Sequence, residues 1–219
     1  LLFHPADGPP RTLNFGGNTP AAATPDKYTP EQTDVGSRAS LIPGNVAGWF
    51  EALKTHGTKS PADVFSPAAR LAEEGFPLHP FNIKLIELAS PRLNVAGRKV
   101  FGDLPLRLGA ILRQPDLGAS YRKFIEQGPD VFYRGELAER MIEYLQSQGG
   151  LLDLSDLEND APEWETPISV NYRGLEVRAC PPNNEGFQIL QTLKLLEGFD
   201  LKALGHNTAD YIHLVTEAI

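Results

Sequence analysis

Side chains able to act as nucleophiles, metal ligands or paired acids and bases are few in this chain, and most have a plainer explanation. The five histidines, His4, His56, His79, His206 and His213, never fall at metal-ligand spacing with one another or with Cys180, the single cysteine. No metal site is therefore assigned, and the histidines are expected at the surface and at helix ends. Glu73-Glu74 and the group Asp153, Asp156, Glu158 and Asp160 contain enough carboxylates for an acid and base pair, but carboxylates crowded on a polar segment are expected to be solvated. Gly16-Gly17 lacks the strand–GxGxxG–helix setting of a nucleotide loop, and Gly44 to Gly48 lacks the Lys-Ser/Thr of a phosphate loop. No serine sits in a G-x-S-x-G turn, and Cys180, followed by Pro181-Pro182, reads as a buried strand-end thiol rather than a nucleophile. These residues imply no cofactor.

The elements that would position these groups follow from periodicity and stop signals. The first forty residues are rich in Pro, Gly, Thr and Ala without a helical period, which predicts a strand end and then an extended surface segment. Val46, Phe50 and Leu53 predict a helix from Gly44 to His56. Ser60-Pro61-Ala62-Asp63 starts a second, continuous or broken, that runs to Glu74 and stops at Gly75. Phe81, Leu85 and Leu88 share one face of a third helix over Pro80 to Ala89, and Ser90 to Leu117 carries no decisive pattern. A short helix around Tyr121 to Ile125, stopped at Gly128-Pro129, and another through Leu137, Met141 and Leu145 are expected to pack as a helical hairpin. Arg173-Gly174 between two apolar runs, Ile168 to Tyr172 and Leu175 to Cys180, is the signal of a β-hairpin. Helices over Leu190 to Leu196 and Ala209 to Ala218 close the chain.

Charge and composition bound the partners. With 28 Asp+Glu against 20 Lys+Arg, a net charge of -8 and no basic block, the chain offers no footprint for nucleic acid or an anionic membrane surface. No apolar run approaches the length that spans a bilayer. A lone cysteine excludes an internal disulfide. A start at Leu1 without Met and apolar helical spacing up to Ile219 lead us to expect an internal fragment. No targeting signal is visible, so the compartment stays open between cytoplasm and periplasm.

The order of landmarks says more than any single motif. Ile42-Pro43-Gly44-Asn45-Val46-Ala47-Gly48-Trp49 is followed by Pro67-Ala68-Ala69-Arg70-Leu71-Ala72-Glu73-Glu74-Gly75-Phe76 and by Gly128-Pro129-Asp130-Val131-Phe132-Tyr133-Arg134-Gly135. Then come Gly149-Gly150-Leu151-Leu152, Asp156-Leu157, Pro167-Ile168 to Tyr172-Arg173-Gly174, and Pro181-Pro182 through Gly186. In this order and spacing, over nearly the whole chain, the sequence resembles the large subunit of the γ-glutamyltranspeptidase family.

The resemblance implies an α+β fold: the mostly helical lobe of an αββα N-terminal-nucleophile hydrolase, with an extended N-terminal segment and a late β-hairpin. It divides into 1–40 (strand end and extended substrate-wall segment), 41–165 (helical lobe) and 166–219 (hairpin and helices returning to the αββα core). It further implies a proenzyme that cuts itself in two, so that the partner is its own small subunit and the substrate a small-molecule amide. The new N-terminal Thr of the small subunit would be the nucleophile, with its own α-amine as base. Thr19, Thr24 and Thr166 lack the family's Thr-Thr-His context, so no catalytic residue is assigned within this chain.

Against the transpeptidase pattern Asp-Phe-Arg-Glu before Ala-Pro, this chain reads Asn14-Phe15-Gly16-Gly17-Asn18-Thr19-Pro20. Gly16 stands where the family's carboxylate-binding Arg would be, so γ-glutamyl amides are expected to be poor substrates unless Arg11 or another cation reaches the site. Pro181-Pro182-Asn183-Asn184-Glu185-Gly186 is nearer the oxamate-amidohydrolase-like branch, and Asn183 and Asn184 are expected to shape the turn into the next helix. The alternatives are a true γ-glutamyltransferase or glutathione hydrolase with a relocated clamp, and a catalytically dead scaffold relative.

Overall fold

The computed structural model describes residues 1–219. In chain order its elements are β1 (Leu2–Phe3), β2 (Arg11–Asn14), α1 (Asn45–His56), α2 (Pro61–Glu74), β3 (Phe76–Pro77), α3 (Pro80–Ala89), α4 (Val95–Phe101), β4 (Ile111–Leu112), α5 (Pro115–Gln127), α6 (Asp130–Tyr133), α7 (Glu136–Ser147), α8 (Leu154–Asn159), β5 (Glu163–Glu165), β6 (Ile168–Tyr172), β7 (Leu175–Ala179), α9 (Gly186–Leu196), α10 (Leu201–Leu204) and α11 (Ala209–Ala218). Short 3₁₀ turns occupy Pro25–Lys27, Pro30–Thr33, Ser37–Ala39 and Ser90–Arg92. Two compact units emerge: Leu1–Asn18 with Leu41–Gly48 and Asp160–Ile219, and Thr19–Ser40 with Trp49–Asn159.

In the first unit β2 is the middle strand of an antiparallel sheet ordered β1-β2-β5, paired as Leu2↔Thr12 and Leu13↔Trp164. Thr12 and Leu13, adjacent and therefore on opposite faces of the sheet, are each about 1% exposed, so both faces of β2 are covered. Beyond β2 the backbone passes close to the start of α1. A Cβ on Gly44 would lie 2.3 Å from the Phe15 carbonyl oxygen, and one on Gly48 would lie 2.3 Å from Cγ of the Phe15 ring. Gly17 has φ +78°, and a Cβ there would stand 1.9 Å from the Ile42 carbonyl oxygen. The Ile42 N–H donates to the Asn18 carbonyl at 2.9 Å and ties the two segments together.

The expected β-hairpin forms as β6 and β7, paired from Ile168↔Ala179 to Tyr172↔Leu175. Arg173 (φ 51°) and Gly174 (φ 86°) both take the left-handed conformation of a two-residue hairpin turn. Helix α9 packs on both strands and on α11, burying Leu190 and Leu196. It begins at Gly186, earlier than the apolar period alone suggested.

The second unit is built on α2 and α5. Ser60 and Asp63 form the capping box that starts α2, and Gly75 (φ 90°) ends it. Pro67 removes one helical donor without breaking the helix. The two helices approach closely because Gly118 of α5 has no side chain: a Cβ there would meet Glu73 Cγ at 2.5 Å and the carbonyl of Ala69, which is fully buried, at 3.2 Å. Phe50, Phe65, Tyr121, Phe124, Phe132 and Tyr133 continue the core as ring pairs with centroids 5.0–6.3 Å apart.

One expectation is corrected and two open points are resolved. The helical hairpin between the Tyr121 and Leu137 segments does not form, because α6 intervenes: α5 packs chiefly on α2, and α7 packs on α6 and α8. The face of α3 shared by Phe81, Leu85 and Leu88 is exposed, and Ile83 and Ile86 pack on Leu78, Ala110 and Leu112. The undecided stretch contains α4 and the strand β4, which pairs with β3 as Phe76↔Leu112.

Gly48→Ala should lower stability by about 1–3 kcal/mol in chemical denaturation of the full protein, because its methyl must displace the Phe15 ring. Between α2 and α5, Arg122 Nε and Nη2 donate to Glu73 Oε1 and Oε2 at 3.0 and 2.8 Å. This hydrogen bonding holds the Glu73 carboxyl below the usual carboxylate range. A depressed folded-state pKa gives stability that is present above the unfolded value and lost as pH falls through the folded one. Melting temperature should therefore fall less steeply below pH 4 in Glu73→Gln than in the parent.

Candidate functional site

A cavity of about 420 Å³ opens in the first unit at the end of β2. Its walls come from three places distant in sequence: Thr12 to Gly16, Leu41 to Asn45, and Glu165 with Cys180, Pro181, Asn183 and Asn184. Leu1 completes the rim, its backbone nitrogen and carbonyl exchanging hydrogen bonds with Leu13 at 2.9 and 2.8 Å.

The floor is held by Asn14. Its Oδ1 accepts from the Gly16 N–H at 3.2 Å, a local turn that this side chain favours, and its Nδ2 donates to Glu165 Oε1 at 3.2 Å. The buried Thr12 hydroxyl donates to the Glu165 carbonyl at 3.2 Å. Asn14 and Glu165 are thus fixed by one another as well as by the β2–β5 ladder. On the far wall, Asn184 Oδ1 accepts from the Gly186 N–H at 3.1 Å and its N–H reaches the Pro181 carbonyl at 3.3 Å. This is the expected turn into α9. Gly186 is buried where a Cβ would meet Ala179 Cβ at 2.6 Å, so the helix start is seated on the end of β7.

Gly16 lies on the cavity wall. Arg11 does not line it: its guanidinium lies 4.5 Å from the centroid of the Trp164 ring, a stacking contact. No Arg, Lys or His is among the lining residues, whereas Glu165 is. Cys180 follows the last residue of β7, is partly exposed and also faces the cavity, so it is less buried than its sequence context suggested.

The acidic group is split among different tasks. Asp160, in the first unit, accepts from Asn18 Nδ2 at 2.9 Å. Asp156, in the second, is 6% exposed and accepts from the Ala21 N–H at 2.8 Å and the Asp153 N–H at 3.0 Å. The expectation of a solvated cluster is therefore corrected for Asp156, whose carboxylate accepts from two backbone N–H groups. Asp153 Oδ1 accepts from Ser155 Oγ at 2.7 Å and from the Asp156 N–H, which lowers its pKa. His79 caps α3 through Nδ1, at 3.3 Å from the Phe81 N–H, as a helix-end histidine.

Sequence reasoning missed Asn14, Glu165 and the proximity of Asn183 to Gly16. Only the first had a local signal, the Asn-x-Gly spacing of a side-chain-closed turn.

Comparison with known proteins places this architecture. A solved Helicobacter pylori gamma-glutamyltranspeptidase matches with a TM-score of 0.93 at 28% identity, over 100% of this chain and 66% of that one. The fold is the α+β fold of such N-terminal-nucleophile hydrolases. The gamma-glutamyltranspeptidase family model matches residues 1–219, and the chain belongs to that family. Among curated relatives, an acylase ACY 1 proenzyme from Pseudomonas sp. (strain V22) is 35% identical over 98% of this chain and 42% of its own length. The Escherichia coli glutathione hydrolase proenzyme is 32% identical over 100% of this chain and 40% of its own. The chain thus spans less than half the length of these relatives. No helix is long and apolar enough to cross a membrane.

Replacing Asp156 with Ala strands two backbone donors. The expected outcome is a loss of about 2–3 kcal/mol in the unfolding free energy of the full protein.

Proposed function

We propose that the chain is the large-subunit part of a self-processing amidohydrolase whose substrate is a small amide without a γ-glutamyl group. Its relatives named as proenzymes support the two-subunit reading. In that reading the small subunit's N-terminal Thr hydroxyl attacks the amide carbon and its proton passes by way of the α-amine to the departing amine. Water then hydrolyses the acyl ester. The present chain supplies one wall of the acyl site.

The observation that carries the substrate reading is the wall at Gly16. A γ-glutamyl group presents an α-carboxylate, and recognition of a carboxylate in a partly desolvated site calls for a fixed cation, best a guanidinium. Here the position is a glycine, Arg11 is turned onto Trp164, and the charged residue present is Glu165. Losing one partner of a buried charged pair costs on the order of 2–5 kcal/mol, enough to change which substrate is preferred. The identity to an acylase proenzyme points the same way.

A second reading, γ-glutamyl transfer or glutathione hydrolysis with the clamp supplied elsewhere, is favoured by the match to the E. coli glutathione hydrolase over the whole chain. The full-length protein, carrying its downstream segment, decides between them. It should split into two chains on a denaturing gel. It should then hydrolyse a neutral acyl amide such as oxamide with kcat/KM roughly 30-fold or more above that for a γ-glutamyl anilide. Rapid glutamate release from the anilide would establish the second reading instead.

A further inference from the structure

Position 16 is not merely short of a side chain, because its space is already taken. An ideal Cβ on Gly16 falls 2.8 Å from Nδ2 of Asn183 and 3.3 Å from both Cγ and Oδ1. The two sides of this contact are set by backbone. The Phe15–Gly17 segment is pinned by the close approaches at Gly17, Gly44 and Gly48 and by the Asn14 turn. Asn183 follows Pro181-Pro182 and precedes Asn184, whose side chain closes the turn into α9. The atoms that a side chain at 16 would meet belong to the end of the Asn183 side chain, so the conflict is one between the side chain at 16 and the carboxamide at 183.

We infer that Gly16 and Asn183 form a single specificity element, in which the Asn183 carboxamide fills the space of a side chain at 16 and selects acyl groups ending in an uncharged polar group over those ending in a carboxylate. The inference rests on the proposal that this cavity receives the acyl part of an amide. Its chemistry follows from what the wall offers. A carboxamide presents a donor and an acceptor without charge, which matches a primary amide or a hydroxyl. A carboxylate would meet the neutral Asn183 carboxamide, no Arg, Lys or His side chain, and Glu165 on the same cavity. One of the two N–H donors of Asn14 Nδ2 is engaged with Glu165.

The test is a double-mutant cycle on the self-cleaved full-length enzyme, with Gly16→Ser, Asn183→Gly and the pair together, each checked for processing and melting temperature. Substrates are oxamide and oxamate, which share a skeleton and differ in one charge, and a γ-glutamyl anilide. Oxamide should have the lower KM by roughly tenfold. Each single substitution should raise KM for the preferred amide by about fivefold to tenfold while kcat changes less than about twofold. The pair should be no worse than Asn183→Gly alone, because removing the carboxamide removes the clash. Equally, Gly16→Arg should improve use of the γ-glutamyl anilide only when combined with Asn183→Gly.

Multiplicative effects in the cycle, or a lower KM for oxamate than for oxamide, would overturn the inference. So would a parent preference for an acyl amide ending in an ammonium group. An efficient parent reaction with the γ-glutamyl anilide would defeat the broader substrate proposal, while the cycle would still report whether positions 16 and 183 are coupled.

Discussion

Absent side chains hold the site together. Where β2 ends, the main chain must run against the segment that opens α1 at distances no Cβ permits: 1.9 Å at Gly17, 2.3 Å at Gly44 and 2.3 Å at Gly48. Three glycines allow the approach, and each supports a different contact: the Ile42 carbonyl, the Phe15 carbonyl and the Phe15 ring. The exposed glycine between them, Gly16, is left facing the cavity because its neighbours are held on both sides. Interiors packed at this density pass a small displacement on to whatever they touch. A methyl added at Gly48 would therefore move the wall of the cavity as well as the core.

Long-range strand pairing completes what the glycines begin. β2 is met on one side by β1 and on the other by β5, which lies about 150 residues further along. That pairing brings Glu165 to Asn14 and lets the buried Thr12 hydroxyl find its acceptor. A buried hydroxyl without a partner would cost about 1–3 kcal/mol, so the polar side of the register reinforces the apolar side set by Leu13. The cavity wall is consequently a product of tertiary structure, with its polar groups oriented before any ligand arrives.

This division explains how much could be read from the sequence. Elements whose limits are written in local chemistry were legible: the Ser60–Asp63 capping box, the stop at Gly75, the limits of α3 and the Arg173-Gly174 turn all stand where the residues place them. The family and the fold class were legible because many landmarks occur in order. Partnership between distant elements was not. The apolar period of α3 is satisfied on both faces, and only the presence of Leu78, Ala110 and Leu112 makes Ile83 and Ile86 the inner residues. Asp156 looks like any surface aspartate until Ala21 supplies a donor from 135 positions away. Asn183 likewise reads as a turn residue, and its nearness to Gly16 depends on β7 and β2 belonging to one unit.

The electrostatics of the cavity push in one direction. Glu165 is the charged residue lining the cavity, and a carboxylate bound beside it would be repelled across a space only partly screened by water. That adds to the missing cation rather than offsetting it. An arginine at position 16 would have to overcome both the repulsion and the volume held by Asn183, so a single substitution in this wall is a poor route to binding an acid group. Exchanging the pair changes charge and shape together, which is why selectivity here belongs to two facing positions and not to one.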